Sequence, residues 1–460
     1  MYLYYDYDTF DLYGRDDDMN TLKKEISLFG GISILAGIMI GSGIYAFGGT
    51  ILSRVGLSLG LSLLAWLIGG IITLFSGLTY AELGTMFPET GGYYIYLRKA
   101  YGKKIAFLSG VMNFFLTSSG SIAILALLFA NVLAFVIPVG PYVKLIAAFL
   151  IISLSVVNYF GIKAGAIVQK VFLVAKIIPL VAIIGVGLFI GDQNVNLSLS
   201  PSEPVSFFRL LTMIGFGIVG TLFAYEGWTN LNTVAGEMKN VKKDLPRAIT
   251  ISTLMVTVIY VLFIFSIYRI LSYGVLQAIA GTDNYFPMVA FYSLFGDLGL
   301  SLIFISVLIS IFGALNGTIM VFPRVYYAMA HDGTFLKPFG AIDKRYKTPF
   351  ISIIGSCIMA LFLLLFNVSS LLTFAVFGGL IFNTLIFISV FIFRKKNPEL
   401  ERPYRVWGYP YVPLIAIFGL LLLLVATLIE SFTDSMIGFG VLVLGYLLYE
   451  LFMKTKKVKE

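Results

Sequence analysis

Three short stretches of this sequence carry groups that an apolar environment tolerates only for a reason. The first is Ile38-Met39-Ile40-Gly41-Ser42-Gly43-Ile44-Tyr45. Glycines here let a helix leave its geometry and bare its backbone N–H groups. The positive end of an outer half-helix, with Ser42 Oγ and the Gly43 N–H, suits a carboxylate. The inner half would end in free carbonyls, which suit an ammonium. The same small residues would also serve as a tight helix-packing face. The second stretch is Phe223-Ala224-Tyr225-Glu226-Gly227-Trp228. An acid inside an apolar span is costly and is normally there for function. Glu226 could face a cationic group, exchange a proton, or pair with a neighbour. The third is Lys176, midway along the run Lys170 to Ile178 and too deep to reach either surface easily. Its ammonium can stand in for a bound monovalent cation on the carbonyls of a broken helix, can titrate, or can simply tie helices together. Farther on, Asn316 and Gly317 precede Pro323 and Arg324. Asn316 is suited to bonding across helices and Arg324 to anchoring an inner gate or loop. His331, the only histidine, reads as an interfacial loop residue rather than a proton relay.

The elements that hold these groups are apolar helices. Of the 460 residues 59% are hydrophobic and 12% charged. A soluble domain carries roughly 25% charge. Mean hydropathy is +0.94. Apolar runs of roughly 18 residues or more recur, each long enough to cross about 30 Å of hydrocarbon. They are continuous rather than alternating, so helices rather than barrel strands satisfy the backbone. About twelve spans are expected, near 27–53, 57–82, 104–136, 141–160, 164–190, 207–236, 246–272, 298–330, 348–366, 369–393, 412–430 and 435–453. Segment 89–101 reads as a short amphipathic helix on the membrane surface. With the N-terminus inside, nearly all of the 32 Lys and Arg fall on inner ends and loops. Only Arg54, Lys144, Arg209 and Arg269 lie outside, and Lys176 lies mid-span. The net charge of +8 is therefore a topology signal, not a nucleic-acid site. The breaks fall in the first and sixth spans, so the two halves carry them in opposite orientations. Matching breaks in inverted halves point to a binding site at the midplane. Residues 1–21 read as a disordered tail, and Met19 is a candidate start. No cleavable signal peptide is apparent. Residues 22–395 read as a ten-helix core, 396–453 as two additional spans and 454–460 as a basic cytoplasmic tail. One cysteine, Cys357, allows no internal disulfide, and one Cys with one His makes a zinc site improbable.

These motifs together resemble a known family. IMIGSGIY (38–45), AELGTMFPETGGYYIYLRKAYG (81–102), FAYEGWTNLN (223–232), GEMKNVKKDLPRAI (236–249), GALNGTIMVFPRVYYAMAHDG (313–333) and RPYRVWGYPYVP (402–413) are similar to the amino acid–polyamine–organocation family. The likeness is greatest to its L-type amino-acid transporter branch and prokaryotic relatives, from about residue 22 to 430. The resemblance implies an all-α membrane protein with a LeuT-like core of five-plus-five inverted repeats and alternating access. It implies that Gly41, Ser42 and Gly43 bind a substrate carboxylate. The amino group would meet carbonyls around Met39, Ile40, Phe223, Ala224 and Glu226, with Gly227 and Trp228 completing the site. It places Phe223 as an outer aromatic gate and Lys176 where a sodium ion would otherwise sit. Transport without sodium, by exchange or with protons, follows. Three departures stand out. Val241 replaces the usual proline after Asn240, a change that reads as neutral. Glu226 occupies a position that is Gly in some members and acidic in others. Segment 137–141 lacks the cysteine that joins animal members to a heavy chain, so no disulfide-linked heavy chain is expected.

The expected function is secondary-active, sodium-independent L-amino-acid transport in the cell membrane, with both termini cytoplasmic. Its partners are the lipid bilayer and a small amino acid, with no cofactor. Glu226 extends the expected range to cationic as well as neutral substrates. A polyamine or other organic-cation carrier, or a non-transporting sensor on the same fold, are the alternatives. An enzyme would need clustered catalytic residues that the spans lack, and a channel would need a ring or repeated filter.

Overall fold

Serines start several of the helices. Ser27 accepts from the Gly30 amide, Ser58 from Leu61 and Ser206 from Arg209. Each hydroxyl satisfies one of the orphan amides of a first turn. The computed structural model describes residues 22–282 and 285–457. The expected tail at 1–21 and the last three residues of the expected basic tail lie outside the described residues.

The chain runs through α1 (Leu28–Met39), α2 (Gly43–Arg54), α3 (Leu59–Met86), α4 (Tyr93–Tyr101) and α5 (Lys103–Met112). A π turn at Asn113–Thr117 leads into α6 (Ser118–Val136), α7 (Val143–Tyr159), α8 (Ile162–Phe189) and α9 (Phe207–Ala224). Then come α10 (Asn230–Thr233), α11 (Val241–Ile270), α12 (Tyr273–Ile279), α13 (Phe286–Val321) and α14 (Pro323–His331). The chain closes with α15 (Phe350–Leu363), α16 (Val368–Lys396), α17 (Tyr411–Glu430) and α18 (Phe432–Lys457). Among the described residues, ten helices are long and apolar enough to cross a membrane, and α1 with α2, bent by 48° at their junction, makes an eleventh. This is an all-helical, multi-pass membrane protein.

The structure departs from the sequence expectation in four places. The span expected at 348–366 is α15, apolar but only 14 residues long. About 20 residues are needed to cross the hydrocarbon, and turns replace the helix after Leu363. The second half of the sixth span is no continuous helix: turns follow Ala224, then the four residues of α10 and a 3-10 turn at Ala235–Glu237. α13 begins well before 298, crossing a kink where Gly296 has φ +57°. α4 forms as expected, but Tyr93, Tyr94, Ile95, Tyr96 and Leu97 are all buried, so it is tucked against the protein rather than laid flat on its surface.

The basic end of the bundle is laced shut. Ile26 and Met238 form an isolated bridge, with Ile26 N donating to Glu237 O at 3.0 Å and Lys239 N to Ile26 O at 2.9 Å. The start of α1 is thus tied to the segment after α10. Glu237 accepts from Arg324 Nε at 2.9 Å and Nη2 at 3.3 Å, both side chains being 1% exposed. Arg324 also donates to the Met320 carbonyl. Arg98 meets Asp332 at 2.6 Å, and Tyr94 donates to the same carboxylate at 2.9 Å. Burial lifts the Asp332 carboxyl above its ordinary range, and the nearby Arg98 works against that rise. Elsewhere at this end, buried Glu82 on α3 accepts from Arg394 Nε and Nη2 and from the Val406 amide, fixing α16 and the loop to α17.

Removing one partner of a buried ion pair costs about 3–5 kcal/mol, because the other charge stays behind. Arg324→Leu is expected to lower the unfolding midpoint of the purified protein steeply. Arg324→Leu with Glu237→Leu is expected to recover most of that loss. Thermal unfolding in detergent reads both, and equal losses in the single and double variants would contradict the pairing.

Candidate functional site

The two interrupted helices touch where they are interrupted. A Cβ on Gly43 would lie 2.8 Å from Ala224 Cα, so only glycine allows α2 to start against the end of α9. A Cβ on Gly227 would lie 2.8 Å from Ile38 Cγ2 and 3.3 Å from the Met39 amide, and Gly227 has φ +117°. That residue needs glycine twice, for its left-handed backbone and for its neighbour. Gly41 is different: its nearest contact would be Ala314 Cβ at 3.8 Å.

Breaking α1 from α2 frees carbonyls on one side and amides on the other. The carbonyl side is satisfied from within. Lys176 Nζ, wholly buried on α8, donates to Ile40 O at 2.7 Å, Gly37 O at 2.8 Å and Ser310 O at 3.0 Å. Three donors meet three acceptors, two from the broken helix and one from α13. Tyr260 of α11 donates to Met39 O at 2.8 Å and is 3.3 Å from Ala224 O, so one hydroxyl bridges both breaks. The amide side is not satisfied in this way. Among the described residues, the amides of Ser42, Gly43 and Ile44 donate to no backbone carbonyl, and the Ser42 hydroxyl caps none of the α2 amides. What remains open is a half-exposed N-terminus with anion-binding character.

Around the second break, Glu226 is exposed although Tyr225 and Gly227 on either side are buried. Among the described residues no Lys, Arg or His pairs with Glu226. Phe223 is half-buried, its ring 6.4 Å from that of Phe47 on α2, so aromatic side chains from α9 and α2 meet. Trp228, expected at the ligand, is instead buried in an aromatic stack with Phe387 at 5.7 Å and Tyr80 at 5.1 Å. Ile40 also changes role: its carbonyl, expected to face an ammonium, accepts from Lys176. Asn316 bonds across helices as expected. It donates to Gly165 O at 3.2 Å and Gln169 Oε1 at 3.0 Å, and accepts from Asn158 at 3.0 Å.

Tyr260 is the site residue that sequence reasoning missed. A tyrosine in an apolar span costs little, so nothing in its local run marks it. Tyr225 is comparable: its hydroxyl donates to Trp66 O at 3.0 Å, and its ring lies 4.9 Å from that of Tyr260.

The chain also matches known proteins over most of its length. Residues 26–447 match the amino acid permease family. The chain is 38% identical over 421 residues to the serine/threonine exchanger SteT of Bacillus subtilis, covering 91% of this chain and 93% of the relative. It is 30% identical over 457 residues to the human b(0,+)-type amino acid transporter 1, covering 96% and 90%. It is 29% identical over 447 residues to the human cystine/glutamate transporter, covering 94% and 86%.

Two glycine substitutions separate close approach from mere smallness. Gly43→Ala is expected to destabilise the protein by about 1–3 kcal/mol, since backbone at Ala224 cannot yield cheaply. Gly41→Ala is expected to change the thermal midpoint little. Equal shifts in the two variants would contradict the contact between the breaks.

Proposed function

The chain belongs to the amino acid permease family, and from that premise we propose that it exchanges L-amino acids across the cell membrane without sodium. One observation carries this reading. The place a coupling cation would take, on the bared carbonyls of the first broken helix and on α13, is filled by the Lys176 ammonium. A tethered cation holds the break in shape with no ion supplied from solution.

In this reading the substrate carboxylate lies on the Ser42, Gly43 and Ile44 amides with the Ser42 hydroxyl. The substrate ammonium lies near the end of α9, where Phe223, Ala224 and Glu226 supply carbonyls. Phe223, with Phe47, closes the outer side. The basic end, tied by Ile26 and Met238 and by Arg324 and Glu237, faces the cytoplasm, as the bias of Lys and Arg indicates. Small hydroxylated amino acids head the candidate substrates, because one relative is named a serine/threonine exchanger. Cationic amino acids come second, on the strength of the exposed, unpaired Glu226. No disulfide-linked heavy chain is proposed, since the sole cysteine is Cys357.

Proteoliposomes loaded with one unlabelled amino acid and offered a labelled one test the reading, in sodium and in choline, with serine, threonine, leucine, arginine and a diamine as competitors. Exchange is expected to require internal amino acid and to be indifferent to sodium. Competition by the diamine alone would overturn the carboxylate assignment. Lys176→Ala is expected to cut exchange at least tenfold while the protein stays folded, and near-normal exchange would remove its coupling role. Glu226→Gln is expected to weaken arginine selectively, whereas an equal loss for all substrates would argue for a structural or proton-handling carboxylate.

A further inference from the structure

Of Arg54, Lys144, Arg209 and Arg269, the basic residues expected outside, two share one recess. Arg54, in the last turn of α2, and Arg209, in the first turn of α9, line a space of about 350 Å³ with Thr212, Met213 and Phe216. No acid lines it. Arg54 is half-buried and donates from Nη1 to Phe216 O at 3.5 Å. Arg209 is exposed, and among the described residues it meets no carboxylate. The Thr212 hydroxyl donates to Phe208 O at 3.0 Å, so it is the two guanidiniums that can hold an anion here.

The recess is the mouth of a groove. Phe47 and Arg54 are seven residues apart on α2, and Arg209, Phe216 and Phe223 are spaced by seven on α9. Seven residues make about two turns, so each set keeps to one face of its helix and climbs about 10 Å per step. The two faces oppose each other. Phe47 and Phe223 have ring centroids 6.4 Å apart, and Arg54 meets the Phe216 carbonyl. Between these contacts, a Cβ on Gly220 would lie 3.1 Å from Ile51 Cγ1 and 3.8 Å from Arg54 Nη1. Arginines thus stand at one end of the groove, and the phenylalanine pair near both helix breaks stands at the other. Interfacial arginines also meet lipid phosphate. The continuous stripe from the recess to the phenylalanines favours a solute on its way to the breaks. A positive recess at the entrance of a cleft raises the local concentration of anions and their rate of entry.

We propose that Arg54 and Arg209 form an entry site that takes the carboxylate of an incoming amino acid before it passes Phe223. This role rests on the amino-acid exchange proposed above, whereas the anion preference of the recess does not. Thr212→Cys in a Cys357→Ala background puts a single thiol in the recess. In nanodiscs of phosphatidylcholine, an anionic methanethiosulfonate is expected to label it about tenfold faster than a cationic one, each rate taken relative to that with a free thiol. Arg54→Gln with Arg209→Gln is expected to bring that ratio close to one. Serine is expected to slow the anionic reagent only while both arginines are present. In proteoliposomes, the two arginine substitutions alone are expected to raise KM for serine and threonine about fivefold, with the maximal rate changed less than about twofold. Salt at about 1 M, which shortens screening to about 3 Å, is expected to erase the difference from wild type. Should the double variant fail to fold, Arg209→Gln, at the exposed position, carries both measurements. Equal labelling by the two reagents overturns the site. Labelling slowed by added phosphatidylglycerol but not by serine makes lipid phosphate the occupant and overturns the entry role. Wild-type protein that keeps the labelling preference but exchanges no amino acid defeats the exchange reading and the entry role, and leaves the anion site standing.

Discussion

A helix interrupted within the bilayer leaves backbone groups where no lipid can bond them, and their satisfaction governs the centre of this protein. The first break is satisfied unevenly. Its carbonyls are taken by Lys176 and Tyr260, which reach in from α8 and α11. Its amides at Ser42, Gly43 and Ile44 have no such backbone partner among the described residues. The protein has thus answered the half of the break that wants a cation and left the half that wants an anion. An N-terminus of this kind favours a carboxylate through oriented N–H groups and the helix dipole. In the proposed reading, these contacts hold the part that all amino acids share.

The same unevenness relates the centre to the rest of the fold. Lys176 connects the first break to α13 through Ser310. About two turns along, Gln169 on α8 and Asn316 on α13 are bonded, with Asn158 of α7 joining them. Tyr45 of α2 reaches Ser306 of α13 at 2.5 Å. α13 therefore holds α1 through a lysine and α2 through a tyrosine. The second break is held differently, by α10 and the Glu237–Arg324 pair at the basic end and by Tyr225 on Trp66 nearer the middle. Gly43 and Gly227 then bring the two breaks into contact, with Tyr260 across both.

Much of this was legible in the sequence because the bilayer makes certain residues expensive. Long apolar runs gave most spans, and the cost of a mid-span charge singled out Lys176 and Glu226. The Gly-Ser-Gly run marked the first break, and Asn316 stood out as an amide in an apolar run. What stayed hidden was cheap or depended on distant chain. Tyr260 carries its apolar ring through the span at little cost, and its importance lies in the carbonyls of Met39 and Ala224, each remote in sequence. Trp228 read as part of the site because it follows Gly227, but the turn after Ala224 sends it into the stack with Tyr80 and Phe387. α15 read as a full span from composition alone, since hydropathy does not show where turns begin.

The role proposed for Lys176 constrains the energetics of transport. A bound sodium ion can drive a cycle because its occupancy differs between the two faces of a membrane. A lysine side chain is covalently fixed, so its occupancy of the Gly37, Ile40 and Ser310 carbonyls cannot follow an ion gradient. It preserves the shape of the break and supplies no driving force from sodium. In the proposed exchange, uphill movement of one solute is driven by downhill movement of another through the same site. A centre that holds the shared carboxylate by backbone, as proposed for the first break, is suited to that. Two different amino acids can use the same anchor in opposite directions, and their exchange is limited by the groups that read their side chains.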